Sequence, residues 1–589
     1  MRRIVFAVVA IAIGAYYRWE VRAAGHPFEW GRDLNAYYDF LGRAFVQGQL
    51  YLPVQPAPQL LAQPDPYDPN SDSTYKLWDT ALYRGRYYLY HGAGPAILLF
   101  APWRLLTRHD LPENFALFLF CFGGWLFAAA ALLRILSLAR ARPGSVMLTM
   151  MLAALGLCNS IPFLLNRTWV YEVAIGGGYF CLSGAFCLLV RSIGSSRTVW
   201  WLAGSGLLFG LAVSCRPTLI FAAAIALLYV AMRRIGAELI AFALPLCLAC
   251  IGIAIYNDAR FGSPFEFGVR YLLSGPFQNR IQLRLANLVP GLYYNFFCTP
   301  AFDAVFPWVR LVLRFPGSSA ASLPREFFVE STAGGLFLAP FIPLALLLPE
   351  GAPRRILCSM TASGIAIIAF LALTGFVTQR YEADFLPLLV LPALASWAML
   401  QSRFAGWRRN IGNAVMGMAI AFGLVVNLAL GLSGPYDDVL RNRPAAYARI
   451  ARWFSPVAEL RPIINPQLDV EFSADLPTVP DGIREPLLTI GRPPFAQFLY
   501  VENGRLVLKT PQSEASTEAP PGKAALAVKY DRDSGKLAVS VNRHEALMAD
   551  PGILFTAPAQ VTIGENCVDP SVTAPRFGGR IQTLLKTIQ

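Results

Sequence analysis

Apolar runs of about twenty residues, bounded by arginines, recur from Arg2-Arg3 to about Leu430 and then stop. A helix that crosses a bilayer needs about 20 mostly apolar residues. Stretches near 4–18, 113–136, 145–164, 170–190, 198–214, 216–232, 237–256, 331–349, 356–376, 384–400 and 411–431 fit that need, about eleven spans in all. The apolar stretch 88–106 is read as a partly inserted segment that returns to its own side. Only then do Arg2/Arg3, Arg140/Arg142, Arg191/Arg197, Arg233/Arg234, Arg354/Arg355 and Arg403/Arg408/Arg409 share one face, which the positive-inside rule makes the cytoplasm. The segments 19–112 and 257–330, and the chain after residue 435, then lie outside. The first run is short, but no small-residue cleavage site follows it, so it reads as a retained anchor.

After residue 455 the pattern changes to short alternating runs, among them Arg505-Leu-Val-Leu-Lys509 and Lys536-Leu-Ala-Val-Ser-Val-Asn542, separated by turns such as Glu502-Asn503-Gly504. Many short strands with turns between them predict a β-sandwich. The expected fold is therefore a polytopic α-helical membrane protein with a C-terminal β-sandwich: 1–435 in the membrane with two large external loops, 436–454 as linker, and 455–589 as a periplasmic domain.

Composition sharpens this picture at three points. The chain is 55% hydrophobic and 15% charged, well under the roughly 25% charged usual for soluble domains. The net charge of +13 does not signal nucleic acid, because residues 455–589 hold 13 Lys+Arg against 15 Asp+Glu. The basic excess sits in the membrane part, where it orients spans and meets anionic headgroups. Eight of the ten cysteines lie in or beside apolar runs and read as small hydrophobes. Cys298 and Cys567 lie outside them, where a disulfide between the two is conceivable. Neither CxxC nor HExxH occurs.

Candidate chemistry gathers in the external segments. Residues 33–47 have helical texture, with Asp33 either a cap at the helix start or a general base at the membrane boundary, Tyr37 on its apolar stripe, and Asp39 a weaker acid. Pro64-Asp-Pro-Tyr-Asp-Pro69 is a rigid turn. Tyr83-Arg84-Gly85-Arg86-Tyr87-Tyr88-Leu89-Tyr90-His91-Gly92-Ala93-Gly94-Pro95 joins arginines and a histidine to a broken entry into the membrane, tolerated only where it lines a cavity or is buried in protein. Asn166-Arg167 and Tyr171-Glu172, Asn257 and Arg260, and Gln379-Arg380-Tyr381-Glu382 add cations, acids and amides at span ends. Each arginine has a plainer reading as a headgroup contact, and each acid as an ion-pair partner. Arg216-Pro217, between two spans, reads as structural or lipid-facing. The stretch 281–290 looks amphipathic, and the aromatic knot at 293–297 follows it, together suggesting an interfacial helix and a cavity wall.

An early acid, a helix ending in Gly48-Gln-Leu-Tyr-Leu52, and Gly85-Arg-Tyr-Tyr-Leu-Tyr-His-Gly-Ala-Gly-Pro-Ala96 before a dipping apolar stretch resemble the multi-pass glycosyltransferases of the GT-C superfamily. Protein O-mannosyltransferases and the aminoarabinose transferase of lipid A are of this kind. The resemblance covers residues 1 to about 430 and lies in layout more than in any one motif. It implies an inverting transfer of a sugar from a polyprenyl-phosphate donor to an envelope glycan, glycolipid or protein, on the outer face of a bacterial inner membrane. It implies Asp33 as base, and Arg260, Arg380 and Arg86 as phosphate clamps. Tyr37, His91, Arg167, Glu172, Asn257, Tyr381 and Glu382 would complete substrate binding. Many relatives carry a paired acid where Leu34 follows Asp33 here; a divalent metal stays open, and no other cofactor is implied. The final domain faintly resembles concanavalin-type or carbohydrate-binding sandwiches, as a holder for a glycan acceptor or a structural lid. A flippase or transporter of lipid-linked sugars is the alternative, though no internal repeat marks one. A structural envelope protein is the third reading.

Overall fold

Among the described residues of the computed structural model, seven helices are long and apolar enough to cross a membrane: Arg2–Ala23, Glu113–Leu138, Val170–Arg191, Thr198–Cys215, Ala237–Phe261, Arg354–Thr374 and Gly406–Ser433. An eighth is reached if Gln379–Phe385 and Pro387–Arg403, bent by 52° at their junction, form one span. The structure describes residues 2–68, 73–275, 282–311, 323–476, 482–569 and 571–589. It is a polytopic α-helical membrane protein with a β-rich C-terminal region. The expected count of about eleven falls because two apolar runs are broken and a third forms only a short helix. Residues 145–164 divide into Ser145–Leu157 and Ile161–Asn166, where the Asn159 side chain accepts the Ile161 N–H at 2.9 Å. Residues 216–232 give the short apolar helix Pro217–Ala231. Within 331–349, Gly334, Pro340 and Pro343 leave only Gly335–Leu338 and the 3₁₀ turn Ile342–Leu346.

The chain divides into two compact units, Met1–Ala301 with Arg310–Pro435, and Phe302–Val309 with Tyr436–Gln589. In the first, close approach depends on small residues, as is usual between membrane helices. A Cβ on Gly206 would stand 2.0 Å from the Phe242 carbonyl oxygen, and one on Gly124 2.5 Å from the Tyr179 ring. Arg191 and Arg197 flank the turn between Val170–Arg191 and Thr198–Cys215, and Arg233-Arg234 precede Ala237–Phe261. The first turn of Val170–Arg191 and the last turns of the other two helices therefore share the opposite end of the bundle.

That end is roofed by the external segments. Thr80–Tyr83 and Arg86–Tyr88 form a hairpin. Its two-residue turn, Arg84-Gly85, takes φ of 49° and 70°, as a type I′ turn requires. Leu272–Leu273 from the second long loop adds a third strand. The stretch 88–106 ends in the apolar helix Ala96–Thr107, about 18 Å long at 1.5 Å per residue and too short for a bilayer core of about 30 Å. The helix expected over 33–47 runs Tyr37–Val46 with Ala36 at its cap position, so Asp33 does not cap it. The amphipathic stretch 281–290 is a 3₁₀ turn, Leu285–Asn287, leading into Leu288–Leu292; Ile281, like Pro69 of the proline turn, lies outside the described residues.

Asp110 ties the first loop together. Its carboxylate accepts the Leu34 N–H at 2.7 Å, Arg43 Nε at 3.0 Å and Arg104 Nη1 at 3.2 Å. Removing one partner of a buried pair costs about 3–5 kcal/mol. Behind it Asp39 is buried, and burial first, then Glu113 and Asp110, push its carboxyl up to about 9. An acid raised in this way keeps a proton that the unfolded chain, titrating near 4, has released. The stability it contributes is complete below about pH 4 and lost as pH rises toward 9. The melting temperature in detergent is expected to fall between about pH 6 and pH 9, and Asp39→Asn to flatten that fall. An equally steep decline in the variant would assign the pH dependence elsewhere.

In the second unit two five-stranded antiparallel sheets enclose one apolar core. One sheet runs in the order Glu514–Glu518, Arg505–Lys509, Gln497–Glu502, Arg484–Ile490, Val561–Ile563. The other runs His544–Ala549, Lys536–Val541, Gly522–Asp531, Leu468–Leu476, Ile581–Ile588. Leu468, Val470, Phe472, Ala474 and Leu476 point inward at the period of two that a strand imposes. Residues 436–454, expected as linker, include the helices Asp438–Asn442 and Pro444–Phe454, and Tyr447 of the latter is buried and accepts a hydrogen bond from Arg492. All ten cysteines are free thiols; Cys298 is buried against the Thr332 carbonyl rather than paired with Cys567.

Candidate active site

A cavity and a cluster of buried charged side chains flank the broken segment His91-Gly92-Ala93-Gly94-Pro95, where the first long loop meets the helix ends. This backbone lies directly on the end of Thr198–Cys215: a Cβ on Gly92 would be 1.8 Å from the Ser214 carbonyl oxygen, and one on Gly94 2.4 Å from Cys215 Sγ. Tyr38 donates to the Gly92 carbonyl at 3.0 Å. Only glycine permits this approach.

The cavity is apolar, about 270 Å³, and lined by Phe45, Ile97, Leu211, Pro217, Ile253 and Tyr256, among others. Tyr90, Asn257 and Arg260 supply polar groups to its lining. Arg260 is 4% exposed. It donates to the Leu89 carbonyl and to Asn257 Oδ1, each at 2.7 Å. Its guanidinium stacks 3.9 Å from the centre of the Tyr256 ring, and its Nε has no partner among the described residues. No carboxylate pairs with it there. Burying a charge without an opposite charge is costly, so this arginine is a site in want of an anion. Asn257 and Arg260, three apart on Ala237–Phe261, are thus brought together as the sequence suggested.

The neighbouring cluster is polar. Arg216 forms a pair with Asp384 (Nη2 to Oδ2, 2.7 Å) and lies 5.0 Å above the Tyr381 ring. Arg380 reaches Glu172 at 3.4 Å and Glu330 at 3.2 Å and stacks 4.5 Å from the Tyr171 ring. Glu330 is delivered by a short parallel pairing of Phe328–Val329 with Phe376–Val377. His91 packs on Tyr90 and meets Tyr171 edge-on, with its buried Nε2 unpartnered among the described residues. Burial first, then Arg216 and Arg380, hold its imidazole below the usual histidine range and therefore neutral. Asp79 completes the group: its carboxylate faces the Tyr171 hydroxyl, and burial raises it above the ordinary aspartate range.

In this cluster Arg216 and Arg380 are matched by Asp384, Glu172 and Glu330, with Asp79 in addition. Arg260, at the cavity, forms no ion pair among the described residues and donates to neutral oxygens instead.

The other expected residues lie elsewhere or act indirectly. Asp33 is 57% exposed and pairs with Arg104, whose hydrogen bond lowers its carboxyl below the ordinary range. Among the described residues it has no bond to Arg216, Arg260, Arg380 or His91. Arg86 is exposed and stacks 4.2 Å above Tyr51. Arg167 stacks 4.1 Å over Trp169. Tyr37 donates to the Trp78 carbonyl at 2.6 Å. Glu382 is buried, accepting from Gln379 at 2.8 Å, and Gln379 in turn accepts the Ala333 N–H. Arg216 is turned inward, not to lipid. Local sequence gives Asp79, Arg216 and Glu330 no motif, and the segments that carry them and Asp384 lie far apart in the chain. Among the described residues no group of three or more His, Cys, Asp or Glu converges as a metal site.

No family model matches the chain, and no curated protein matches it. Among solved structures the chain aligns with ArnT from Cupriavidus metallidurans bound to undecaprenyl phosphate: 12% identity over 76% of this chain and 79% of that one, TM-score 0.38. The apo oligosaccharyltransferase of Archaeoglobus fulgidus aligns at 13% identity over 74% of this chain and 55% of that one, TM-score 0.32. A carbohydrate-binding module of the Ruminococcus gnavus IT-sialidase, bound to α2,3-sialyllactose, aligns with 20% of this chain over 75% of its own length, at 16% identity and TM-score 0.16.

Proposed function

We propose that this protein is an inverting glycosyltransferase that moves a sugar from a polyprenyl-phosphate donor to an acceptor hydroxyl on a cell-envelope glycan, glycolipid or protein. The observation that carries the reading is Arg260, a buried cation without a carboxylate, among the lining residues of an apolar cavity. A long isoprenoid chain fits the apolar lining and its phosphate the guanidinium. As the bond between the anomeric carbon and the phosphate oxygen breaks, its electrons pass to that oxygen. A positioned guanidinium stabilises the charge that develops there. The acceptor oxygen attacks from the opposite face, and a carboxylate takes its proton. Neutral His91, the tyrosines and the paired acids of the polar cluster would bind the sugar and acceptor hydroxyls. In this reading the arginine-flanked helix ends face the cytoplasm of a bacterial inner membrane, the cavity and the cluster face the periplasm, and the final domain is a β-sandwich that holds a glycan.

Purified protein with a panel of polyprenyl-phosphate sugars and an envelope extract tests the reading. It requires sugar transfer with matching release of free polyprenyl phosphate. Donor binding and vesicle translocation without transfer would establish the flippase instead.

A further inference from the structure

Asp79 is held in an unusual conformation by its surroundings. It is a non-glycine residue at φ 60°, a region that aspartate and asparagine tolerate better than most. Three contacts fix it there. Its N–H donates to the Leu273 carbonyl at 2.8 Å, Tyr37 donates to the carbonyl of the preceding Trp78 at 2.6 Å, and Thr80 pairs with Leu273 in the sheet. A local role for the side chain would have the carboxylate cap a nearby backbone N–H. It does not: the carboxylate faces the Tyr171 hydroxyl, with Arg380 and Glu330 beside it. Backbone strain of this kind, kept in place by hydrogen bonds from two other segments, is characteristic of functional positions.

Resting on the glycosyltransferase reading above, we propose that Asp79, rather than Asp33, is the base that takes the proton of the acceptor hydroxyl, and that Tyr37 is its positioning residue. The acceptor O–H proton passes to an Asp79 carboxylate oxygen while the acceptor oxygen forms its bond to the anomeric carbon. The bond to the donor phosphate breaks with inversion, and the proton then leaves Asp79 to water. Two observations separate the two acids. Asp79 is half-buried beside Tyr171, Arg380 and Glu330, whereas Asp33 is 57% exposed and tied to Arg104. Burial makes the first a stronger proton acceptor, and the Arg104 hydrogen bond makes the second a weaker one.

The test uses the full chain in detergent, with transfer measured against pH and polyprenyl phosphate binding measured separately. Asp79→Asn keeps a residue that accepts positive φ. It is expected to lower kcat by roughly 10²–10⁴-fold, the span of general base catalysis, and to abolish the acid limb of the pH profile while lipid-phosphate affinity is retained. Formate is expected to restore part of the transfer in Asp79→Ala, which keeps the test available if one variant melts early. Tyr37→Phe is expected to lower kcat and shift the acid limb without removing it. Transfer by Asp79→Asn near the wild-type rate, or an acid limb lost in Asp33→Asn and kept in Asp79→Asn, overturns the assignment of the base alone. Absence of transfer by the wild type overturns the glycosyltransferase reading and this inference with it.

Discussion

Arg260→Gln is expected to lose at least tenfold, and up to about a hundredfold, in affinity for a polyprenyl phosphate. A hydrogen bond to a charged group is worth about 1.5–3 kcal/mol, and tenfold corresponds to about 1.4 kcal/mol. The loss in kcat is expected to be larger, on the order of 10²–10³-fold, because the charge on the leaving phosphate grows as the bond breaks. Stability is expected to move the other way. In the empty protein the Arg260 guanidinium is buried against the neutral oxygens of Leu89 and Asn257, an arrangement that costs free energy rather than supplying it. Melting of the variant without lipid should therefore be unchanged or raised, while the rise in melting temperature that lipid phosphate gives the wild type should vanish. A variant that melts far below the wild type and binds lipid phosphate equally well would make Arg260 a structural residue.

Gly92→Ala is the second large effect. The added carbon would sit 1.8 Å from the Ser214 carbonyl oxygen and 2.7 Å from that of Cys215. Both are backbone atoms of a packed helix end and cannot turn aside, so the 91–95 segment must move. His91 sits on one side of this contact and Arg216 on the other. Displacement of about 1 Å in a catalytic group can cost about 10²-fold, and overpacking costs about 1–3 kcal/mol. Transfer is expected to fall at least a hundredfold, with a clear drop in melting temperature. Gly144→Ala, where a Cβ meets nothing within 4 Å, is the control and is expected to match the wild type in both. Full activity in Gly92→Ala would show that the segment tolerates movement and that its fit to Ser214 does not set the site.

The sequence marked some of this site and could not mark the rest, for physical reasons. Arg260 and Asn257 stand out because both are polar at the end of one apolar run, three residues apart. The broken Gly-Pro entry after His91 stands out because such backbone survives at membrane depth only where protein or a cavity surrounds it. Arg216 reads from sequence as structural or lipid-facing, because Arg-Pro between two apolar runs looks the same whether it faces lipid or a carboxylate; its partner Asp384 is brought to it only by tertiary folding, and of the two readings only the lipid-facing one fails. Asp79 carries no motif at all. Its importance lies in a positive φ and in bonds from Tyr37 and Leu273, and neither is written in local sequence. Asp33, an early acid suited to a base by position, is paired with Arg104, a partner that local sequence does not announce. Span counting exceeds the long helices where Asn159 and the Gly334–Pro343 segment break apolar runs and where the helix Pro217–Ala231 is short, because hydropathy counts composition and does not see a helix end.

The most direct measurement compares binding of a polyprenyl phosphate with binding of the matching polyprenol, which lacks the phosphate, to wild type and Arg260→Gln in the same detergent. The account predicts that the wild type prefers the phosphate by at least tenfold, and that the preference disappears in Arg260→Gln while the alcohol binds both alike. Equal affinity of the wild type for the two lipids, or a preference that survives in the variant, would contradict it.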